Sequence, residues 1–232
     1  MKRSQDRILT THVGSLIRPK PLIEQAQAAR DDAGKRPDYE RQLRAAVGEV
    51  VARQAAVGID IVNDGEFGKS SWARYIMERV SGFELRDDQL REVAWLGRDR
   101  VRFAEFIAED FPQVLTGLPT QACVGPITYT DHDSVRRDLD NLKAALRGAD
   151  VEEAFFTAVA PASTAYDGVN EYYPTDRDYV FAVAEALREE YLEVHKAGFI
   201  VQVDDAVLAN MYDELVQQSP HRYREWAQLR ID

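Results

Sequence analysis

The stretch IVNDGEFGKSSW, residues 61–72, ends an apolar run in an acidic, glycine-containing loop. Gly68-Lys69-Ser70 matches the tail of a phosphate-binding loop, which reads G-x-x-x-x-G-K-[ST]. Counting back five positions from Gly68 reaches Asn63 rather than glycine, and Asp64 and Glu66 would repel a bound phosphate. The stretch reads instead as a short strand, residues 59–64, delivering a polar loop.

The same alternation recurs outward from it. Upstream, Tyr39 to Ala56 carries Leu43, Val47, Val50 and Val51 at helical spacing and stops at Gly58. Ile8 to Ser15 reads as a strand, a helical pattern follows Pro19 and Pro21 through Ala29, and Asp31 to Pro37 is a loop. Trp72 to Val80 has a helical pattern. Downstream, strands are expected at 121–128, 154–161 and 199–204, and helices at Ser134–Leu146, Asp176–Ala197 and Arg222–Leu229. Residues 82–120 break the rhythm. Phe83, Leu85, Val93, Trp95 and Leu96 point to an excursion of strands, and Val101, Phe103, Phe106 and Ile107 to a helix or a strand start. Short apolar strands alternating with longer helices predict an α/β fold with a parallel sheet, in one domain over 1–232. No G-x-G-x-x-G follows a strand, which disfavours a dinucleotide site.

Charge and cysteine content narrow the function. The chain has 29 Lys and Arg against 40 Asp and Glu, a net charge of −11, which argues against nucleic acid or an anionic membrane as partner. One cysteine, Cys123, excludes an internal disulfide framework and suits a reducing compartment. The N-terminal residues have no apolar signal-peptide core, and no run reaches the ~20 apolar residues of a membrane span. The expected location is the cytoplasm.

Polar groups gather where the strands end: His12, Gly14 and Ser15; Asn63, Asp64 and Glu66; Ser163 and Thr164; Asp204 and Asp205. In a (β/α) barrel such ends share one face. Several acids there would suit an ammonium group or a metal. Each residue also has a plainer reading: Asp64 and Asp205 as turn formers or helix caps, Glu66 as a solvated loop acid, His12 as a structural histidine, Ser15 as a cap.

Four motifs, in this order, carry a resemblance. THVGS (11–15) with Arg18-Pro19, NDGE (63–66), VGPIT (124–128) and AGFIVQVDDAVLA (197–209) resemble the catalytic barrel of the cobalamin-independent methionine synthase family and its shorter relatives. The resemblance implies a (β/α)8 barrel of the TIM type, incomplete here, with about five of its eight units in this chain. It implies methyl transfer from 5-methyltetrahydrofolate, often polyglutamated, to the thiol of homocysteine bound on zinc, in methionine biosynthesis. Carried over, Val13, Gly14 and Ser15 form the backbone segment of the homocysteine site, and Glu66 and Asp204 hold the substrate ammonium. Gln202 matches the family's glutamine. Asp205 stands where the family has a folate-binding glutamate, and Ala206 departs from the proline that follows it. The family's zinc ligands, a His-x-Cys pair, a later Glu and a later Cys, have no counterpart in this sequence. The expectation is therefore a chain that ends before the zinc motifs, acting as a methyltransferase with a second polypeptide that completes the barrel. The alternatives are a metal-free amino-acid-binding module and an inactive fragment.

Overall fold

The computed structural model describes residues 1–91, 97–112, 115 and 117–232. The helices are α1 (Lys20–Asp31), α2 (Arg36–Ala56), α3 (Asp99–Arg102), α4 (Ala104–Asp110), α5 (His132–Ala145), α6 (Pro161–Asp167), α7 (Asp176–Lys196), α8 (Ala206–Gln218) and α9 (Pro220–Ile231). The strands are β1 (Ile61–Val62), β2 (Phe83–Arg91), β3 (Leu118–Cys123), β4 (Glu153–Val159), β5 (Gly168–Asn170) and β6 (Ile200–Asp204). Among the described residues they form two three-stranded sheets, ordered β1-β4-β6 and β2-β3-β5.

The chain divides into two compact units. Unit 1 comprises Met1–Tyr75, Asp131–Ala158 and Glu190–Val203. Its sheet has β4 at the centre, buried along its length after Glu153, as a strand covered on both faces must be. β1 pairs with β4 in parallel, Ile61 opposite Glu153 and Val62 opposite Ala154. α2 starts with Pro37 near its N-terminus and Asp38 in its first turn, and buries Leu43, Val47, Val51 and Gln54 along one stripe. It packs against α1 and α5. Asp131 caps α5 by accepting from the Ser134 amide at 3.0 Å.

Unit 2 comprises Ile76–Thr130, Val159–Glu189 and Asp204–Asp232. β2 runs antiparallel to β3 with an irregularity between Arg86 and Leu90, and β3 runs parallel to β5. α8 buries Val207, Met211 and Leu215 at every fourth position. With Ala162 they form a core cluster on which Tyr166, Tyr223 and Trp226 pack.

Several expectations need correction. There is more than one sheet, and the pairing is mixed, because β2 folds back against β3. Residues 8–15 form no strand. Thr10 spends its amide on the Asp60 carboxylate at 2.6 Å, while its carbonyl accepts from the amides of both Asp60 and Ile61. Side-chain hydrogen bonds there replace a regular ladder. β3 begins at Leu118 and ends at Cys123, before Gly125-Pro126, where proline removes a donor. Trp72–Val80 holds a 3-10 turn over Arg74–Glu78, with Ala73, Tyr75, Ile76 and Met77 all buried rather than one helical face. The 31–37 loop contains a short 3-10 turn, Ala33–Lys35, and the start of α2. α6, β5 and α8 have no counterpart among the expected elements. Phe83 and Leu85 lie on β2, and Val101, Phe103, Phe106 and Ile107 fall on or between α3 and α4. Val93, Trp95 and Leu96 lie outside the described residues.

Asp60 fastens the 7–16 segment to β1. It meets Arg7 at 2.6 Å and the Thr10 hydroxyl at 2.9 Å, and the Arg7 guanidinium together with the Thr10 amide holds its carboxyl well below the usual range. A depressed folded-state pKa means that this hold is complete at neutral pH and lost only in strong acid. Asp60→Ala is expected to speed amide exchange over residues 7–16 at pH 7 while leaving α2 protected. Equal exchange in the two proteins would show that Asp60 does not fasten the segment.

Candidate functional site

In unit 1 the loop after β1 closes into a hydrogen-bonded turn. Asn63 accepts from the Gly65 amide at 2.9 Å through its side chain, and Asp64 accepts from the Glu66 amide at 2.9 Å. The Glu66 carbonyl accepts from the Lys69 amide at 3.1 Å and from Arg18 at 2.7 Å. Gly65 and Glu66 have φ of 69° and 60°, so two successive residues are left-handed. Glycine adopts this readily; glutamate does so at a cost of roughly 1–3 kcal/mol.

The turn buries the Glu66 carboxylate, which is 1% exposed. The Ser15 hydroxyl donates to one of its oxygens. The other lies against Gly14, where an added Cβ would sit 2.8 Å from Glu66 Oε1 and 2.9 Å from the Thr157 methyl. Only glycine allows this approach. Asn63 donates to the Gly14 carbonyl at 3.2 Å, and the Leu16 amide donates to the Gly65 carbonyl at 3.1 Å. The structure thus brings Gly14, Ser15 and Glu66 together. Val13 is 80% exposed, and its carbonyl accepts from the Gln202 side chain.

The plainer readings divide. Glu66 is buried, not a solvated loop acid. Ser15 serves Glu66 rather than capping a helix. Asp64 forms the turn. His12 has a structural setting, bonded to Gln54 at 2.8 Å and edge-on to the Phe155 ring.

Three further residues shape the turn. Arg18, which enters the sequence motifs only beside Pro19, reaches the Glu66 carbonyl. Lys69 is 4% exposed, and its ammonium donates to the Thr157 carbonyl and, at 2.9 Å, to the Thr157 hydroxyl. One signal for this was legible: Thr157 is the lone hydroxyl in the apolar strand AFFTAVAP.

In unit 2, Asp204 ends β6 half-buried, and its carbonyl accepts from the Ala160 amide at 2.9 Å. Asp205 occupies the N-cap position of α8 without a side-chain cap bond. Its carboxylate accepts from Ser163 at 3.1 Å. Burial pushes the Asp205 carboxyl above its ordinary pKa, against the opposing pull of Ser163 and Arg230. Thr164 bonds back to the Ala160 carbonyl within α6.

A zinc centre does not fit the described residues. Among them, no group of three or more His, Cys, Asp or Glu is placed to hold a metal. Cys123 is buried, and burial raises its thiol pKa, the reverse of what a thiolate ligand needs. Among the described residues no helix is long and apolar enough to cross a membrane.

Residues 8–154 match the family model described as Cobalamin-independent synthase, Catalytic domain. The methionine synthase of Sulfolobus acidocaldarius is 27% identical over 200 residues, covering 86% of this chain and 52% of that protein. A methionine synthase of Saccharolobus islandicus is 26% identical over 200 residues, covering 86% and 53%. A solved B12-independent methionine synthase from Shewanella sp. W3-18-1, in complex with selenomethionine, is similar in fold, with a TM-score of 0.58 at 20% identity, covering 82% of this chain and 49% of that one. The chain spans about half the length of the curated relatives it matches.

Asp64 gives the turn a pH signature. Burial pushes its carboxyl up to about 6, with Lys69 pulling it down and Asp138 pushing it further up. A raised folded-state pKa favours folding at low pH, and that contribution fades as pH rises from about 4 through about 6. The shift corresponds to up to about 3 kcal/mol. Urea melts across this range are expected to show the loss in the wild type and a flatter profile in Asp64→Asn. Parallel profiles would mean that Asp64 titrates normally.

Proposed function

The chain belongs to the cobalamin-independent synthase family, catalytic-domain type, and from that premise we propose that it binds a homocysteine-like amino acid and takes part in methyl transfer to its thiol. The donor in this reading is a folate, 5-methyltetrahydropteroyltriglutamate. The observation that carries the reading is the Glu66 turn: a carboxylate held by Ser15 at the edge of a glycine cradle. A buried carboxylate is a strong partner for an ammonium group. Ser15 is exposed, so a rotation of its hydroxyl uncovers the carboxylate for an incoming amino group. The selenomethionine held by the Shewanella relative is an amino acid of this class.

Val13, Gly14 and Ser15 are the backbone segment of this proposal, and Glu66 the carboxylate of unit 1. Asp204 is the carboxylate of unit 2, and Asp205 the candidate folate contact. The described residues do not supply a set of ligands for zinc. A partner polypeptide bearing them belongs to this proposal, as does a cytoplasmic setting. A second reading, a metal-free amino-acid-binding module, is motivated by the sequence, which keeps Glu66 and Asp204 but contains no His-x-Cys pair.

Isothermal titration with L-homocysteine and L-methionine is expected to show binding to the wild type. Glu66→Gln and Asp204→Asn are each expected to weaken it about 10- to 100-fold, the loss of one charged hydrogen bond. No binding at millimolar concentration would remove both readings. The native mass and zinc content of protein purified from its source separate them. A second chain and about one zinc per complex supports the methyltransferase. A lone, zinc-free chain of 26.3 kDa supports the binding module.

A further inference from the structure

Lys69 is an unusual residue to bury. An ammonium loses hydration on burial, and the cost is offset only where charge partners and acceptors replace it. Its side chain lies over the Tyr75 ring at 4.5 Å and the Phe156 ring at 4.7 Å, which supply cation–π attraction. Its head donates to the carbonyl and hydroxyl of Thr157 on β4. Its own amide donates to the Glu66 carbonyl. One residue therefore spans the distance between the turn and the central strand.

Thr157 also borders the site. An added Cβ on Gly14 would meet its methyl and the Glu66 carboxylate at nearly equal distances, 2.9 and 2.8 Å. Gly14, Thr157 and Glu66 are thus mutual neighbours, and Lys69 grips one of them by its head and another by its backbone. The far end of the turn is fixed separately, with Gln54 donating to the Asn63 carbonyl at 2.8 Å and accepting from the Asn63 amide at 3.0 Å.

We infer that Lys69 is a positioning residue for Glu66, tying the turn to Thr157 so that the carboxylate stays against Gly14. The inference rests on the reading of Glu66 as the group that meets a substrate amine. A purely structural lysine would support the whole unit. A positioning lysine acts on the turn.

Lys69→Met keeps length and apolar contacts and removes the charge. Thr157→Val removes the hydroxyl acceptor alone. Amide exchange is measured on the full chain, together with L-methionine titration. In Lys69→Met, exchange at Gly65, Glu66 and Lys69 is expected to speed at least about tenfold while α2 amides stay protected, and L-methionine affinity to fall by a similar factor. Thr157→Val is expected to move both in the same direction by less. Unchanged exchange in the turn overturns the inference, as does loss of protection spread evenly through unit 1. If Lys69→Met fails to fold, Thr157→Val decides by the same criteria. If the wild type binds no amino acid, the reading of Glu66 fails, and the exchange data still decide whether Lys69 holds the turn.

Discussion

A buried carboxylate must be held by groups that replace water, and the Glu66 turn is arranged around that requirement. The turn's carbonyls, amides and side-chain oxygens find partners on the 12–18 segment and on α2, and the Lys69 ammonium finds its acceptors on β4. Those partners come from three separate stretches of chain, so the site exists only once unit 1 is assembled. Gly14 marks the tightest point. A methyl group there would occupy the space now shared by Glu66 and Thr157, so the close approach and the identity of the residue are one fact.

The sequence made some of this legible. Strands near 59–64, 154–161 and 199–204 and the helices at Tyr39–Ala56, Ser134–Leu146 and Asp176–Ala197 appear within a few residues of expectation, because their apolar spacing is regular and their core contacts follow it. The 8–15 segment misled for a physical reason. Its alternation fits a strand, but Asp60 captures the backbone donor that a ladder would use, and pattern alone cannot see a side chain competing for a main-chain hydrogen bond. α8 was hidden differently. AVLANMYDELVQQ follows Asp205, which reads equally as a helix cap or as a turn former at a strand end, so the spacing of Val207, Met211 and Leu215 is the less ambiguous mark of the helix.

The candidate site was legible as residue types and not as geometry. NDGE was identifiable as an acidic strand end. That Ser15 would serve Glu66 rather than a helix and that a lysine would cross to β4 are outcomes of contacts between segments far apart in sequence, whereas Asp64 holding the Glu66 amide two residues on is a local turn. Lys69 shows this best. Beside Gly68 and Ser70 it matched a phosphate motif by type, yet its ammonium meets Thr157, two aromatic rings and the charge of Asp64.

The backbone of Glu66 bears on whether this turn is structural or functional. A non-glycine residue at φ 60° is strained by roughly 1–3 kcal/mol, and glycine at the same position would relieve it. Gly65, beside it, shows that the turn accepts glycine in this conformation. A turn needed only to join β1 to the next part of unit 1 would be more stable with glycine at both positions. Glutamate there adds strain and a buried carboxyl group together, with hydrogen bonds from Ser15 and to Asp64. Local stability does not explain the residue, and the amine-binding role proposed for Glu66 would.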